Sequence, residues 1–391
     1  MGHDDVVVID DVGLDGLIGA LREAGFEPAG PVVRDGAIVP GAIRGVGDLP
    51  RGWHDRQAPG HYRLVHSDDR RYFAWAVGPA SWKAAVFPPV QEVWRAWERD
   101  GALVVSEPPV AGAPMAVIGA RPCELAALAV LDGVLGRPPV ADPGYETRRE
   151  RAFLVVVDCA EPGGSCFCTS MGTGPAAADG FDLALTELDD EAGHRFLVRA
   201  GTDRGARVLS ALATRPATDA ELGAREDLLE RARAAMGRSL DTDDLPGLLA
   251  RNLEHPRWDE VAARCLACGN CTSVCPTCFC SDVRDTTDVT GEVRRTRTWA
   301  SCFDLDHSYL HGNAVRSSTR ARYRQWMTHK LSTWWDQFGM SGCVGCGRCI
   351  TWCPVGIDLT EEAAAIRASD GTFGPGSTAA GAPTGSARVA P

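Results

Sequence analysis

The first half of the chain carries short apolar runs separated by turn residues, a pattern that is typical of β-strands with few helices between them. Asp35-Gly36 lies between two such runs and predicts a β-hairpin. Helical spacing predicts a helix over residues 14–24, which ends before Gly25, and another over residues 91–100. The remaining predicted strands are 6–9, 62–65, 72–77, 115–119 and 153–157, with a closing hairpin between 181–188 and 196–200.

Two of these strands, 115–119 and 153–157, are continuously apolar, as expected for strands buried in an α/β sheet. The first of them leads into a predicted helix over residues 124–135. In such sheets, ligands bind at the carboxyl ends of the strands. That edge is predicted to carry four cysteines, namely Cys123, Cys159, Cys166 and Cys168.

From about residue 218 the pattern changes to helical periodicity. The predicted helices are 220–238, 245–253, 258–264, 320–338 and 361–367, with a polar hairpin at 282–293. We therefore predict an α+β or α/β N-terminal domain over residues 1–215 and a helix-rich, two-cluster ferredoxin-like domain over residues 216–368. Residues 369–391 consist mainly of Gly, Ala, Pro, Ser and Thr, which predicts a disordered tail.

One cysteine pattern occurs twice in the second domain. Each copy has three cysteines separated by two residues, a fourth cysteine after three more residues, and then proline. The copies begin at Cys265 and Cys343 and end at Pro276 and Pro354. This pattern binds 4Fe–4S clusters, and in two-cluster proteins the fourth cysteine of each run serves the other cluster.

The pattern therefore predicts two 4Fe–4S clusters with interleaved ligands. The predicted ligands are Cys265, Cys268, Cys271 and Cys353 for the first cluster, and Cys343, Cys346, Cys349 and Cys275 for the second. Gly269, Gly345 and Gly347 suit such loops, because glycine adopts positive φ and lets backbone amides approach the cluster sulfurs. Residues 276–342 separate the two runs, so we predict a ferredoxin unit with a long insertion.

Zinc and disulfides explain these runs less well than iron–sulfur clusters do. A zinc site uses well-separated C-x2-C pairs, and a third cysteine two residues further on fits it poorly. Disulfides require an oxidising compartment. The N-terminus lacks the basic segment and long apolar core of a secretory signal, so fifteen cysteines indicate reduced thiols and a cytoplasmic protein.

Composition and motifs narrow the function further. The net charge of −12 argues against a general nucleic-acid-binding protein. No window of about 20 residues is apolar throughout, so we expect no direct membrane insertion. The sequence has neither a G-x-G-x-x-G motif after a strand nor a P-loop, and its histidines lack metal-site spacing. We therefore expect no complete active site and no flavin, nicotinamide or ATP site in this chain.

Of the fifteen cysteines, eight lie in the two runs and seven remain. We predict a third iron–sulfur cluster at Cys123, Cys159, Cys166 and Cys168, on the predicted sheet edge. The alternative groups Cys278 and Cys280 with Cys302. Any of these cysteines could instead be an inert buried thiol. Lys83, which follows a tryptophan, is interpreted as a surface residue without a chemical role.

Four further motifs resemble those of a known family. They are Arg121-Pro-Cys123-Glu, Asp158-Cys159-Ala-Glu-Pro-Gly-Gly-Ser-Cys166-Phe-Cys168, Cys275-Pro-Thr-Cys278-Phe-Cys280 and Tyr323-Arg-Gln-Trp-Met-Thr-His-Lys330. With the two runs, they resemble the 4Fe–4S dicluster electron-transfer subunits. That family comprises the β subunit of cytoplasmic NiFe-hydrogenases of the sulfhydrogenase type and the A subunit of anaerobic sulfite reductases. The resemblance extends from about residue 25 to about residue 365.

The resemblance implies a subunit that relays electrons between a flavin- and NAD(P)-binding partner and a catalytic partner, with the eight cysteines of the runs as cluster ligands. Residues 347–358 are closer to the hydrogenase version, which favours a NiFe-hydrogenase catalytic subunit. One alternative is the electron-transfer subunit of an anaerobic sulfite reductase, and another is a non-enzymatic iron–sulfur redox sensor. A third is a self-contained reductase that binds its substrate at Cys123 and Cys159.

Overall fold

The computed structural model describes residues 6–109 and 112–371. In chain order, the strands are β1 (Val6–Ile9), β2 (Glu27–Arg34), β3 (Ala37–Ala42), β4 (Trp53–Ala58), β5 (His61–His66), β6 (Val90–Arg99), β7 (Ala102–Ser106), β8 (Met115–Ala120), β9 (Phe153–Val157), β10 (Leu183–Asp190), β11 (Gly193–Ala200), β12 (Arg215–Pro216), β13 (Ser281–Thr287), β14 (Val293–Trp299), β15 (Tyr309–Leu310) and β16 (Asn313–Ala314). The helices are α1 (Asp11–Glu23), α2 (Lys83–Val86), α3 (Pro122–Leu135), α4 (Pro143–Arg151), α5 (Asp203–Leu209), α6 (Asp219–Ala234), α7 (Leu245–Arg251), α8 (Arg257–Arg264), α9 (Asn270–Ser273), α10 (Thr319–Thr328), α11 (Trp334–Phe338), α12 (Arg348–Thr351) and α13 (Leu359–Ala368).

The largest sheet has eight strands in the order β12-β1-β11-β10-β9-β8-β2-β3. Its centre is parallel, because β9 pairs in parallel with β8 and β10, and β8 pairs in parallel with β2. The outer pairs are antiparallel and include the hairpins β2–β3 and β10–β11. These pairings confirm the two predicted hairpins and the predicted buried strands, and they give a mixed α/β architecture.

Apolar helix faces cover both sides of this sheet. Successive residues of β9 point to opposite faces, so Val155 packs in the core on the α1 side, whereas Leu154 packs on the α3 side. Leu17 of α1 and Leu131 of α3 are both fully buried. Burying such a side chain contributes about 1.5–3 kcal/mol. Helix α3 follows β8 at the carboxyl edge of the parallel strands and carries Cys123 in its first turn.

A second sheet has four antiparallel strands in the order β13-β14-β6-β7. Strands β6 and β7 precede residue 215, whereas β13 and β14 belong to the insertion between the cysteine runs. The sheet is therefore built from chain segments on both sides of the predicted domain boundary at 215/216. That boundary stays a prediction.

The predicted helix over residues 91–100 was wrong, because this segment is strand β6. The spacing of Val93, Trp94 and Trp97 fits a helix, but the segment pairs along its length with β14 and β7. Val293 pairs with Ala96 in this sheet. The partner strand lies so far along the chain that local periodicity carries no sign of it.

The predicted strand over residues 72–77 was also wrong, although the segment is buried. Its backbone groups bond to side chains instead of a neighbouring strand. The amides of Tyr72 and Phe73 donate to the carboxylate of Glu187 at 2.6 and 2.8 Å. The Arg121 guanidinium donates to the carbonyls of Phe73 and Trp75 at 2.7 Å each.

Helices α7, α8, α10 and α13 pack around an aromatic core. Helix α10 continues through a π-helical turn, His329–Thr333, into α11. Buried aromatic residues of this core include Trp258, Tyr323 and Trp326, and cysteines of both runs pack against it. The sequence predicted this helical region, including the helices that correspond to α6, α7, α8 and α13.

Most of the predicted disordered tail, residues 372–391, lies outside the described residues. Its first residues follow α13, where Asp370 forms an ion pair with Arg251. None of the helices in the described part of the chain combines the length and the apolar character needed to cross a lipid bilayer.

Candidate iron–sulfur sites

The first cysteine loop is built from a helix end and a left-handed turn. Helix α8 ends at Arg264, and the amide of Cys265 donates to the Val261 carbonyl at 3.0 Å. Ala267 and Gly269 have φ of +51° and +74°, which turns the chain back around its own cysteines. The Ala267 amide donates to Cys265 Sγ at 3.4 Å. Such bonds favour the thiolate, which is the form that binds metal.

The second cysteine loop repeats this construction. Gly345 and Gly347 have φ of +66° and +73°, and the Gly345 amide donates to Cys343 Sγ at 3.5 Å. The first loop leads into α9 and the second into α12, and these two short helices contact each other. The two runs therefore form two similar loops side by side.

Each loop lies beside the fourth cysteine of the other run. Burial raises the pKa of Cys265 above its ordinary value, and the neighbouring thiol of Cys353 adds to this effect. Burial likewise raises the pKa of Cys343 to about 12, and Cys275 is among the thiols next to it. The structure thus brings together Cys265, Cys268, Cys271 and Cys353, and beside them Cys343, Cys346, Cys349 and Cys275.

Most thiols in these groups are poorly solvated and close to one another, whereas Cys268 is exposed. Burial raises the pKa of Cys349 well above its ordinary value, and the thiols of Cys343, Cys346 and Cys275 raise it further. Burial also raises the pKa of Cys271 well above its ordinary value, and the thiol of Cys302 is the first of the neighbouring thiols to raise it further. Buried thiols in such a group become thiolates only when positive charge is supplied. Bound iron supplies that charge, because a coordinating thiol is deprotonated outright.

Backbone amides also support the two fourth cysteines. The Thr277 amide donates to Cys275 Sγ at 3.5 Å, and the Ile357 amide donates to Cys353 Sγ at 3.3 Å. Hydrogen bonds to ligand sulfurs are one of the means by which a protein adjusts the potential of an iron–sulfur cluster.

Buried donors without acceptors surround the loops. The Tyr323 hydroxyl and the indole nitrogen of Trp352 have no hydrogen-bond partner among the described residues. Tyr323 is only 2% exposed, and the thiols of Cys271 and Cys349 lie near its hydroxyl. Buried donors are rarely left unpaired in native proteins, and the sulfurs of an iron–sulfur cluster accept hydrogen bonds. The residues present therefore fit 4Fe–4S clusters.

Two buried lysines lie beside Cys275. Lys83 Nζ donates to the carbonyls of Cys275 and Cys278 at 3.0 Å each. Lys330 Nζ donates to Thr277 Oγ1 at 2.8 Å. The interpretation of Lys83 as a surface residue was wrong, because its neighbours bury it to 3% exposure. Neither lysine forms an ion pair with a carboxylate within residues 6–109 and 112–371.

The neighbouring sulfurs determine the charge state of Lys330. Burial lowers its pKa, but the sulfurs of Cys275, Cys278 and Cys343 outweigh burial, so the pKa lies well above its ordinary value. A buried ammonium group is costly unless an anion compensates it, and the thiolates of a bound cluster are such anions. Lys330 ends one of the motifs that resemble the family, but the motif by itself gives this lysine no role.

A buried ion pair attaches the second loop to α3. Arg348 and Glu124 approach to 2.6 Å, and their side chains are 1% and 6% exposed. Arg348 Nε also donates to the Gly78 carbonyl at 2.9 Å. Glu124 in turn accepts the Arg121 amide at the start of α3. The helix that carries Cys123 is thereby fixed against the second cysteine loop.

The four cysteines of the sheet edge lie next to the second loop. The Phe167 amide donates to the Gly345 carbonyl at 2.8 Å, and Cys166 Sγ lies 3.6 Å from the Cys346 carbonyl oxygen. Burial raises the pKa of Cys123 well above its ordinary value, and Cys346 is the first thiol to add to this effect. The structure thus gathers beside Cys346 the residues Cys123, Cys159, Cys166 and Cys168.

The three other cysteines lie beside the two runs, with Cys302 near Cys271 and the Cys278 thiol hydrogen-bonded to Cys275. Cys278, Cys280 and Cys302 line one cavity of about 150 Å³. Burial raises the pKa of Cys302 to about 12, with Cys280 as the next contributor. In the structure, the cysteines within each of the two alternative groupings therefore lie close to one another. No set of three or more Cys, His, Asp or Glu side chains in the described ranges has the geometry to hold a single metal ion.

Comparison with known proteins gives two matches. A family model described as a 4Fe-4S dicluster domain matches residues 264–357, a range that contains all eight cysteines of the runs. The chain is also 36% identical over 255 residues to sulfhydrogenase 2 subunit beta of Pyrococcus furiosus. That alignment covers 64% of this chain and 73% of the relative. No solved structure matches the chain.

Proposed function

The chain belongs to the same family as sulfhydrogenase 2 subunit beta, and we propose that it is the iron–sulfur electron-transfer subunit of a hydrogenase complex. In this role it has no catalytic centre of its own. It passes electrons between a subunit that exchanges them with NAD(P) and a subunit that carries the NiFe site.

Two 4Fe–4S clusters are part of this proposal. Their ligands are Cys265, Cys268, Cys271 and Cys353 for the first, and Cys343, Cys346, Cys349 and Cys275 for the second. The observation that supports it best is the pair of matched loops, each beside the fourth cysteine of the other run. When bound, each cluster supplies a one-electron carrier. Interleaved ligands keep the two carriers close, which permits transfer between them.

The residues around the loops adjust these carriers. The aromatic core that contains Trp258, Tyr323 and Trp326 excludes water from the cysteines. The Lys330 ammonium group, whose pKa is raised, adds positive charge beside Cys275, and Lys83, whose pKa is lowered by burial, donates to the Cys275 carbonyl. Net charge, burial and hydrogen bonds to sulfur set the reduction potential of a cluster. We therefore assign the higher potential to the second cluster, which takes Cys275 as its fourth ligand.

The partners follow from the chemistry that this chain lacks. Hydride chemistry with NAD(P) requires a cofactor such as flavin, which can receive a hydride and pass single electrons onward. The sequence has no dinucleotide-binding motif, so we assign that step to a flavin- and NAD(P)-binding subunit. The similarity to a sulfhydrogenase subunit supports a NiFe-hydrogenase as the catalytic partner.

Ligand exchange tests the interleaved arrangement. Four full-length variants, each with one cysteine replaced by serine, are compared by electron paramagnetic resonance after reduction with dithionite. We expect Cys265→Ser and Cys353→Ser to lose the same cluster signal, and Cys343→Ser and Cys275→Ser to lose the other. If Cys275→Ser and Cys265→Ser lost the same signal, the ligand assignment would be wrong.

Copurification tests the partners. The tagged chain is isolated anaerobically from its native host, and the attached subunits are identified by mass spectrometry. We expect a flavoprotein and a nickel-containing subunit, and we expect NAD(P)H to reduce the clusters of this complex but not those of the isolated chain. A sirohaem subunit in place of the nickel subunit would contradict the hydrogenase assignment. Clusters without electron transfer from any partner would contradict the relay role.

A further inference from the structure

A cavity beside the second half of the chain contains thiols that the two-cluster relay does not use. Its volume is about 150 Å³. Three cysteines reach it from two segments, the stretch after Pro276 and the stretch after β14. The residues that line the cavity include Cys278, Cys280, Cys302, Trp326, Lys330 and Trp334.

Several other side chains that line this cavity are hydrogen-bond donors or cations. The indole nitrogens of Trp326 and Trp334 have no hydrogen-bond partner among the described residues, although the two side chains are only 4% and 1% exposed. Lys330 is 4% exposed, and Arg316 lines the same cavity. No Asp or Glu belongs to the lining. The cavity therefore suits an occupant that is anionic and accepts hydrogen bonds.

From these contacts we propose that the cavity holds a third iron–sulfur cluster, with Cys278, Cys280 and Cys302 as ligands. Thiolates bind iron, and the sulfurs of the cluster would accept the two unpaired indole N–H groups. Lys330 and Lys83 would offset its negative charge, because Lys83 donates to the Cys278 carbonyl. His307 and His329 also line the cavity and are the side chains available for a fourth iron.

The thiols of the sheet-edge grouping, which the sequence favours for a third cluster, are packed tightly against other protein atoms. Cys166 Sγ faces the Cys346 carbonyl oxygen, and Cys168 Sγ lies 3.9 Å from Met236 Sδ. A Cβ on Gly174 would lie 2.9 Å from Cys168 Sγ, which shows how tightly this thiol is packed. These contacts favour structural thiols at the sheet edge and a cluster at the Cys278–Cys302 cavity.

The third cluster extends the proposed relay and rests on it. Cys278 and Cys280 also line a neighbouring cavity of about 160 Å³, together with Cys268 and Lys83. Cys268 is a ligand of the proposed first cluster, and Cys275 is a ligand of the proposed second. A cluster at Cys278, Cys280 and Cys302 therefore lies beside both and adds a third one-electron carrier.

Iron counting in matched variants tests this inference. The full chain is purified anaerobically with its copurifying subunits removed, and iron and acid-labile sulfide per chain are measured. We expect about twelve irons in the wild type, that is, four for each of three clusters. The double variant Cys280→Ser/Cys302→Ser is expected to retain about eight irons and both ferredoxin-type signals. The matched control, Cys159→Ser/Cys168→Ser, is expected to retain about twelve.

Two results would overturn the inference. The first is about eight irons in a wild type that shows both ferredoxin-type signals, and the second is a loss of iron in the control pair alone. Failure of the relay itself would differ, because the wild type would then lack one or both ferredoxin-type signals.

Trp334→Phe provides a readout that does not depend on folding of the double variant. It removes one unpaired donor, so we expect unchanged iron and a shifted midpoint potential of one signal. Unshifted potentials would contradict the inference.

Discussion

Gly345 offers a direct test of how the second cysteine loop sits on the N-terminal half of the chain. It has φ of +66°, and a Cβ there would lie 2.6 Å from the Phe167 carbonyl oxygen and 2.7 Å from the amide nitrogen of Cys168. Both obstacles are backbone atoms, so neither can rotate away. Gly345→Ala therefore combines two effects. The left-handed conformation costs about 1–2 kcal/mol for a residue with a Cβ, and the overpacking costs about 1–3 kcal/mol.

Gly339→Ala is the matched control. Gly339 has φ of +72°, and no atom lies within 4 Å of the Cβ position. The control therefore loses only about 1–2 kcal/mol of stability, because alanine at this position must adopt a left-handed backbone conformation but meets no other atom. We expect Gly345→Ala to lower the free energy of unfolding by about 1–3 kcal/mol more than the control. The added loss comes from displacement of the 165–168 segment.

The assay is urea-induced unfolding of the reconstituted chain without oxygen. Circular dichroism reports the backbone, and visible absorbance with iron analysis reports the clusters. We expect Gly345→Ala to lose the second cluster signal at lower urea than the first, whereas Gly339→Ala changes both equally. Equal midpoints in the two variants, or earlier loss of the first cluster, would refute the packing argument.

Two further predictions concern stability. Glu124→Gln leaves Arg348 buried without its partner, and we expect it to lower the free energy of chemical unfolding by about 3–5 kcal/mol. The control Glu230→Gln removes an exposed ion pair and should lower that free energy by less than about 1 kcal/mol. Similar losses in the two variants would contradict the role of burial. Burial lowers the pKa of His194, but the Glu187 carboxylate outweighs this effect, so the pKa of His194 is raised. The protonated ring therefore stabilises the fold fully below about pH 6.5. This stabilisation is lost as the pH rises through the raised pKa. The stability difference between wild type and His194→Gln, measured by unfolding between pH 5.5 and 8.5, should therefore shrink with rising pH, and a constant difference would contradict this.

Local spacing carries much of the information about this fold and about the cluster loops. The cysteine runs, the hairpin at Asp35-Gly36 and the buried strand β9 depend on residues that are neighbours in sequence, and the structure has the predicted hairpin and strand. Segment 91–100 is strand β6 because it pairs with β14. The prediction of a helix rested on local periodicity, and the sequence around this segment does not indicate its distant partner. Lys83 is buried by the carbonyls of Cys275 and Cys278, which lie 192 and 195 residues away.

During synthesis on the ribosome, β6 is complete at Arg99, whereas its partner β14 begins only at Val293. At about 5–20 residues per second, the backbone edge of β6 stays open for roughly 10–40 s. Open strand edges pair readily with other chains. We therefore expect a product that ends near residue 215 to leave this edge open permanently and to aggregate more readily than the full chain.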